Sequence, residues 1–527
     1  MKKSGNHVRK KEKRMKLGDL NAILADEFAF SAFDKDDAVQ KSILVTKNAD
    51  KEVRGIAYDS RKVEKDFLFV AAYGARADGH EFIPDAVEKG ACAVVVESHE
   101  AYEKYWKLYP GVVFVMVGHA RIALALLSAA FFGYPAKKLT LIGITGTKGK
   151  TSTSFMIAGI LNKAGKKCGI VGTTGVYYGD AYEPLENSTP ESYELHRIFA
   201  EMVKAGMTHC VMEVSSQALM MHRVHGIRYD TAVFTNISPD HIGEGEHKSF
   251  EEYLSFKGRL FTMCDRAAIN LDNDHTPYIL DILKSYKVPT VTFSCKDKNA
   301  DYYGDEEKFF IDGGLKTEYT LHTKDGLTRR LDVMVPGRFS VYNSLCAVAA
   351  TAALGATIDD AASALLEVKV IGRTEPVKHP KCTIPVLIDY AHNALSMESL
   401  IMGVKAYNPA HIICVFGAGG NRSRLRRYDM GEISGKYADL SVITADNPRY
   451  EELDDIISDI LVGIAKTDGK YTVIKDRKKA IFYALEHAGP DDIVLLCGKG
   501  QETYQEIQGV RYPFNEREIV KEYYDTL

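Results

Sequence analysis

The chain has 527 residues, 46% hydrophobic and 26% charged with 16 prolines, a globular composition that excludes a disordered, collagen-like or coiled-coil chain. At about 150 residues per domain, its length predicts three or four domains. Lys2, Lys3, Arg9, Lys10, Lys11, Lys13, Arg14 and Lys16 against Glu12 put the first sixteen residues at +7, so the formal net charge of −4 leaves −11 for the rest and argues against nucleic acid as a partner.

Nine cysteines are scattered singly with no C-x-x-C pair, which reads as reduced thiols in a cytoplasmic protein rather than a disulfide framework or a zinc site. No apolar run approaches the ~18 residues of a membrane span. The nearest, Val112–Val117 and Ile122–Phe132, are interrupted by Gly118, His119 and Arg121, so no membrane insertion is expected. The basic start has no apolar segment behind it and reads as a solvated tail rather than a secretory signal.

Short β-branched runs that end in Gly, Ser, Asp or Asn clusters and lead into helical stretches recur along the chain, the pattern of parallel α/β units. After a tail and lead-in over 1–45, strands are predicted at Val53–Tyr58, Phe67–Ala71, Ala93–Val96 and Val112–Val117, with Tyr102, Tyr105, Trp106 and Tyr109 on an amphipathic helix face. Beyond a boundary near Gly133–Lys138, Lys138–Thr145 reads as a strand feeding a glycine-rich turn and a helix from Lys150 to Ala164, capped by Gly165. Cys210–Val214, Thr231–Thr235, Ala267–Leu271 and Thr290–Phe293 read as further strands of the same sheet, and 296–332 as an antiparallel hairpin. A second boundary near Val368–Thr374 precedes strands at Pro385–Asp389, Ile412–Phe416, Leu440–Thr444 and Ile493–Leu496. The expected fold is α/β, with domains over 46–137, 138–368 and 369–527.

Ligands of open parallel sheets bind beyond the carboxyl ends of the strands, so those residues matter most. Gly143-Ile-Thr-Gly-Thr-Lys-Gly-Lys-Thr-Ser152 is a variant phosphate loop between a strand and a helix. Glycine-freed backbone N–H groups and the helix N-terminus cradle phosphates, Lys150 reaches the terminal phosphates and Thr151 suits Mg²⁺. Glu213 lies in an otherwise apolar run, where a carboxylate must be paired or bind metal. Asp240 and His241 follow the next strand; alone, such a histidine is more often a hydrogen-bonded loop residue than a ligand, but beside a phosphate loop and Glu213 the balance reverses. Asp389-Tyr-Ala-His-Asn393, Gly417-Ala-Gly-Gly-Asn-Arg-Ser423, Asp446-Asn-Pro-Arg449 and Gly498-Lys-Gly-Gln-Glu502 end four strands with charges of both signs, a pocket for a zwitterionic or multiply charged small molecule. Asp59-Ser-Arg61 and Gly74–His80 are small-residue loops open to two readings, turn chemistry or a nucleotide or sugar-phosphate site.

In these motifs, in order from about Val53 onward, the chain resembles the Mur ligase family and its tripeptide-synthetase branch. The resemblance implies three α/β domains, with a central phosphate-loop ATPase domain on a parallel sheet and a C-terminal Rossmann-like domain. It implies a cytoplasmic, ATP- and Mg²⁺-dependent ligase that adds the third amino acid to UDP-N-acetylmuramoyl-L-alanyl-D-glutamate through an acyl phosphate, a monomer acting on small molecules. By position, Tyr58, Ser60, Ala75, Arg76 and Ala77 would touch the UDP portion, and Asn187, Ser188, Thr189, Ser215 and Arg223 the muramoyl-peptide. Gly146, Thr147, Lys148, Gly149, Lys150, Thr151 and Ser152 would hold the ATP phosphates, with Asn343, Arg373 and Asp389 near base, phosphate and ribose. Lys150, Glu213, His241 and Lys257 would be catalytic; Thr151, Glu213, His241 and Lys257, as its carbamate, would hold metal.

Arg422, Asp446, Asn447, Pro448, Arg449, Gly498 and Glu502 match positions for meso-diaminopimelate. Arginine suits the far carboxylate of that residue, whereas L-lysine offers none, so meso-diaminopimelate is the expected acceptor over L-lysine or another diamino acid. A related amide ligase of another pathway and a non-catalytic nucleotide-binding scaffold are the other readings. Lys148 stands where the family usually has asparagine, Ser340 where Gly-x-Phe-Asn is usual, Met221 where a glutamine is common and Gln501 where histidine is usual.

Overall fold

The computed structural model describes residues 15–25, 49–74, 77–240, 242–243, 246–312 and 314–527. The basic start up to residue 14, Ala75, Arg76 and His241 lie outside the described residues. By internal contacts the chain divides into two compact units. One comprises the described residues up to Thr145 with Val176–Ala232 and Ser238–Asp265; the other comprises Gly146–Gly175, Val233–Ile237 and Arg266–Leu527.

The first unit begins with a parallel sheet of four strands, Gly55–Ala57, Phe67–Ala71, Ala93–Val96 and Val113–Met116, adjacent in chain order. Helices cover both faces, which is why the strands read as unbroken apolar runs. Leu68, Val70, Val95 and Val115 pack with Leu20, Leu24 and the helix Ala120–Phe131. Phe69, Val94 and Val96 pack on Ile83, Ala86, Ala101 and Tyr105. The predicted strand from Val53 is shorter, because Val53 leaves the ladder to donate to Met15 O at 2.9 Å. The helix His99–Leu108 forms with Tyr105 buried but Trp106 41% exposed, and Tyr109 caps its end. Farther on, Thr140–Thr145 pairs in parallel with His209–Glu213, and an unpredicted hairpin pairs Val176 with Glu183.

In the second unit, Ala267–Asn270 pairs in parallel with Thr290–Ser294. The expected hairpin over 296–332 is instead a three-stranded antiparallel meander, Tyr302–Ile311, Leu315–Thr323 and Thr328–Val333. Its last strand escapes a hydrophobicity reading because only Leu331 and Val333 are buried. The helix Lys150–Lys163 ends as expected at Gly165 (φ +74°), where Lys166 N donates to Leu161 O at 2.8 Å and Gly165 N to Asn162 O at 3.1 Å.

The C-terminal sheet runs Glu375–Pro376, Val386–Asp389, Ile493–Cys497, Ile412–Phe416, Leu440–Ile443, Tyr471–Val473; only the first pairing is antiparallel. Its odd and even residues feed separate cores, Cys414 and Phe416 with Met397 and Ile460 on one face, Ile413 and Val415 with Ile481 and Val520 on the other. The parallel register places Asp389 beside Cys497, so the polar segments that follow these strands emerge at one edge.

Candidate active site

The phosphate loop is built from backbone. Gly146 (φ +151°) and Gly149 (φ +84°) adopt conformations that disfavour side chains, and a Cβ at either would overlap Thr235 Oγ1 or Asn343 Oδ1. Thr147 N donates to Asn236 O and Lys148 N to Asn236 Oδ1, both at 2.9 Å. Lys148 O accepts from Thr235 Oγ1 at 2.8 Å and Asn236 Nδ2 at 3.1 Å. Lys150 Nζ folds over the loop onto Gly146 O (2.8 Å) and Thr147 O (3.1 Å). Gly149 is the N-cap of the helix Lys150–Lys163 and supplies no side-chain cap, so the helix presents the positive end that attracts phosphate. The close approach of Gly149 to Asn343 brings a predicted nucleotide residue to the loop, and Lys148 Nζ reaches Ser396 Oγ at 3.3 Å.

Side-chain hydrogen bonds join three of the four C-terminal strand ends. Asn447 donates from Nδ2 to Glu502 Oε2 (2.9 Å), and its Oδ1 accepts from Lys499 Nζ (2.7 Å) and Glu506 N (2.9 Å). Lys499 is fully buried and also bonds Glu502 at 3.2 Å. Gly498 (φ +110°) packs against Asp446, whose buried Oδ2 has no hydrogen-bond partner. Gly420 lies so close to Pro448 O that a Cβ cannot fit, and Arg449 Nη1 donates to Gly420 O at 2.7 Å. Arg422 is exposed and makes no ion pair among the described residues, leaving its guanidinium available for a carboxylate. Asp389 Oδ2 accepts from Thr374 N at 2.6 Å; burial pushes its pKa up, opposed by the Arg373 charge and the Thr374 N–H. Arg373 stacks over the Tyr390 ring, 5.2 Å from its centroid.

The first unit gathers the predicted muramoyl-peptide residues. Thr189 Oγ1 donates to Glu213 O at 2.9 Å, and Ser215 N donates to Thr189 Oγ1 at 3.1 Å. Arg223 Nη1 donates to Thr189 O at 3.1 Å. Ser215 caps the helix Ser216–Met220. Asn187 and Ser188 precede Thr189 on the same segment. Tyr58 donates to Glu194 Oε2 at 2.9 Å, and burial followed by the Glu194 charge pushes its pKa up. Ser60 is buried in the Asp59-Ser-Arg turn, where Asp59 caps Arg61 N and pairs with the Arg61 guanidinium, while Ala77 O closes the next loop on Gly74 N at 3.0 Å. Turn chemistry thus accounts for the Asp59 and Arg61 side chains.

Sequence reasoning missed several partners. Glu191 sits between Arg223 (2.8 Å) and Arg121 (3.3 Å). Buried His247 Nε2 meets Ser216 Oγ at 2.8 Å, directly after Ser215. His80 Nε2 accepts from Glu97 N and Ser98 N, which pins its loop. Each of these pairings joins residues distant in sequence or of ordinary type; Glu191, directly after Pro190 in a polar loop, was the most visible.

Glu213 ends its strand 1% exposed, Lys257 is 2% exposed with Nζ 4.6 Å from the Tyr253 ring centroid, and Thr151 is buried in the first turn of its helix. Glu213 and Thr151 each offer an oxygen of the hard kind Mg²⁺ takes, and Lys257 would offer one only as its carbamate, so the chemistry of each residue fits that ion.

Three family models match the chain: "Mur ligase family, catalytic domain" over residues 52–132, "Mur ligase middle domain" over 144–351 and "Mur ligase, glutamate ligase domain" over 372–500. The chain is 41% identical over 476 residues to the UDP-N-acetylmuramoyl-L-alanyl-D-glutamate–2,6-diaminopimelate ligase of Caldanaerobacter subterraneus subsp. tengcongensis, covering 90% of this chain and 95% of that protein. It is 37% identical to the ligase of the same name from Clostridium perfringens, covering 91% and 96%. A solved structure of a ligase of that name superposes with a TM-score of 0.66 at 26% identity, covering 91% of this chain and 96% of that one. MurF of Thermotoga maritima in complex with ADP, at 17% identity and a TM-score of 0.57, covers 90% and 97% and shares the three-domain α/β fold.

Proposed function

This chain belongs to the Mur ligase family, and from that membership we propose that it joins meso-2,6-diaminopimelate to the D-glutamyl carboxylate of UDP-N-acetylmuramoyl-L-alanyl-D-glutamate, using ATP, in peptidoglycan synthesis. The segment 46–137 takes the UDP-sugar, 138–368 ATP and 369–527 the amino acid, in the cytoplasm. The glutamyl carboxylate attacks the γ-phosphate, ADP leaves, and the amine displaces phosphate from the resulting acyl phosphate. Little covalent work falls to the protein, whose part is to hold the reactants in line and neutralise charge. The loop Gly146–Ser152 and Lys150 do this for the phosphates, with Asn343, Arg373 and Asp389 on the nucleoside side. Thr189, Ser215 and Arg223, with Asn187 and Ser188, hold the muramoyl-peptide; Tyr58, Ser60 and the 75–77 loop hold the UDP. Thr151, Glu213, His241 and carbamylated Lys257 would hold Mg²⁺, which when bound supplies charge neutralisation at the phosphate oxygens.

The observation that carries this reading is the glycine cradle, with a glycine as the helix N-cap and Lys150 folded across it. For the acceptor, exposed Arg422 beside the Asp446–Arg449 network supports a substrate with a second carboxylate. Phosphate release with ATP, UDP-muramoyl-dipeptide and meso-diaminopimelate is expected to exceed release with L-lysine by at least about tenfold, the scale of one charge-assisted contact. Equal or reversed rates would overturn the acceptor assignment, and no release with any diamino acid would overturn the ligase.

A further inference from the structure

We propose that Nε2 of His392 is the base that takes a proton from the incoming amine, so that it can attack the acyl phosphate. The proposal rests on the ligase reading and extends it to a residue given no role of its own above.

His392 follows the strand Val386–Asp389 and directly precedes Asn393, which caps the helix Ala394–Lys405 by accepting from Ser396 N at 2.9 Å. Its Nδ1 lies 2.7 Å from Tyr390 O. A carbonyl only accepts, so the proton of the neutral ring is on Nδ1 and Nε2 carries the lone pair. Nε2 makes no hydrogen bond among the described residues, and the ring is only partly buried, packed on Tyr390 with centroids 4.6 Å apart.

Two sets of groups converge on this turn. From the phosphate loop, Lys148 Nζ reaches Ser396, three residues beyond the cap. From the proposed amino-acid network, the Asp446 carboxylate, whose buried Oδ2 lies 3.9 Å from Arg477 Nη1, acts electrostatically on His392, together with Arg373 and Arg426. Groups of the proposed phosphate and amino-acid sites thus both act on the segment that carries His392. Burial holds its pKa below the usual histidine range, assisted by Arg426 and Arg373 and opposed by Tyr390 O and Asp446, so the neutral, proton-accepting form prevails at neutral pH.

The proton balance is complete without an added reactant. An ammonium at the acceptor carbon gives one proton to Nε2, and the freed lone pair forms the C–N bond as the C–O bond to phosphate breaks. The second proton lost by nitrogen leaves with the phosphate as hydrogen phosphate, and the imidazolium returns its proton to water.

Hydroxylamine, already neutral at pH 7, tests this role because it captures an acyl phosphate without needing a base. Wild-type protein and His392→Gln are each given ATP, Mg²⁺ and UDP-muramoyl-dipeptide, with either hydroxylamine or meso-diaminopimelate. His392→Gln is expected to form hydroxamate within about twofold of wild type but to lose amide formation by about 10²–10³-fold, the range of general-base catalysis. Its residual amide rate should climb steadily with pH as the free amine fraction rises. Equal losses with both nucleophiles would assign His392 to ATP or to folding, and no loss with either would remove it from the chemistry; both overturn the proposal. If wild type forms no hydroxamate, it is the ligase reading that fails.

Discussion

The phosphate loop and the proposed amino-acid pocket are built in opposite ways. At Gly146–Ser152 the contact surface is main chain: two glycines with positive φ, a helix that starts at a glycine N-cap, and a backbone fastened by Asn236 and Thr235. At the C-terminal strand ends it is side chain held by side chain, with Lys499 fixing Asn447 and Glu502, and Arg427 buried between Glu451 and Asp459. A phosphate has the same shape in every reaction, and main-chain donors suit it. An amino acid must be told from its analogues, which needs charge and length placed to within an ångström, and only a cross-braced set of side chains does that.

The sharpest way to break this comparison is Lys150→Ala. It should lower kcat about 10³-fold, the worth of a strong preorganised donor, while the melting temperature stays nearly constant. Gly146→Ala comes next. The new Cβ meets Thr235 at a backbone angle that alanine resists, so about 2–3 kcal/mol of stability should be lost in urea unfolding, with ATP affinity falling in parallel. Lys499→Met leaves Asn447 and Glu502 short of a donor and should cost about 2 kcal/mol, roughly thirtyfold in kcat/KM for the amino acid, with KM for ATP within twofold. A matching rise in KM for ATP would erase the division between the two regions. The smallest effect concerns acid. Arg424 and Arg427 hold the Asp459 carboxyl below its ordinary 3.8, so its contribution to stability is present above that pH and is lost as pH falls through the lower folded value. Asp459→Asn should therefore flatten the stability curve only below about pH 4, in acid titration followed by circular dichroism.

What the residues alone disclosed follows the same division. Phe67–Ala71, Ala93–Val96 and Ile412–Phe416 are strands to the residue, because sheets covered on both faces demand unbroken β-branched runs. The glycines of the phosphate loop were legible for a similar reason: backbone demands leave a mark on residue type. Tyr471–Val473 and Thr328–Val333 left no such mark, lying half in solvent with mixed composition. Glu213 was visible as a carboxylate in an apolar run, yet nothing local predicts that Lys499 meets a residue 52 positions away or that His247 reaches Ser216. Such pairings have no period and exist only once the strands are in register.

Residue 148 shows what a clamped main chain permits. Its N–H and its carbonyl are both tied down by neighbours, so the conformation of the loop at this point owes nothing to the side chain mounted there. A lineage can exchange asparagine for lysine without disturbing the anion cradle, and the exchange extends a cation to Ser396 on a different helix. The position works as a socket: the fixed part of the loop holds it still, and whatever residue is fitted sets how the loop meets the helix that begins at Ala394.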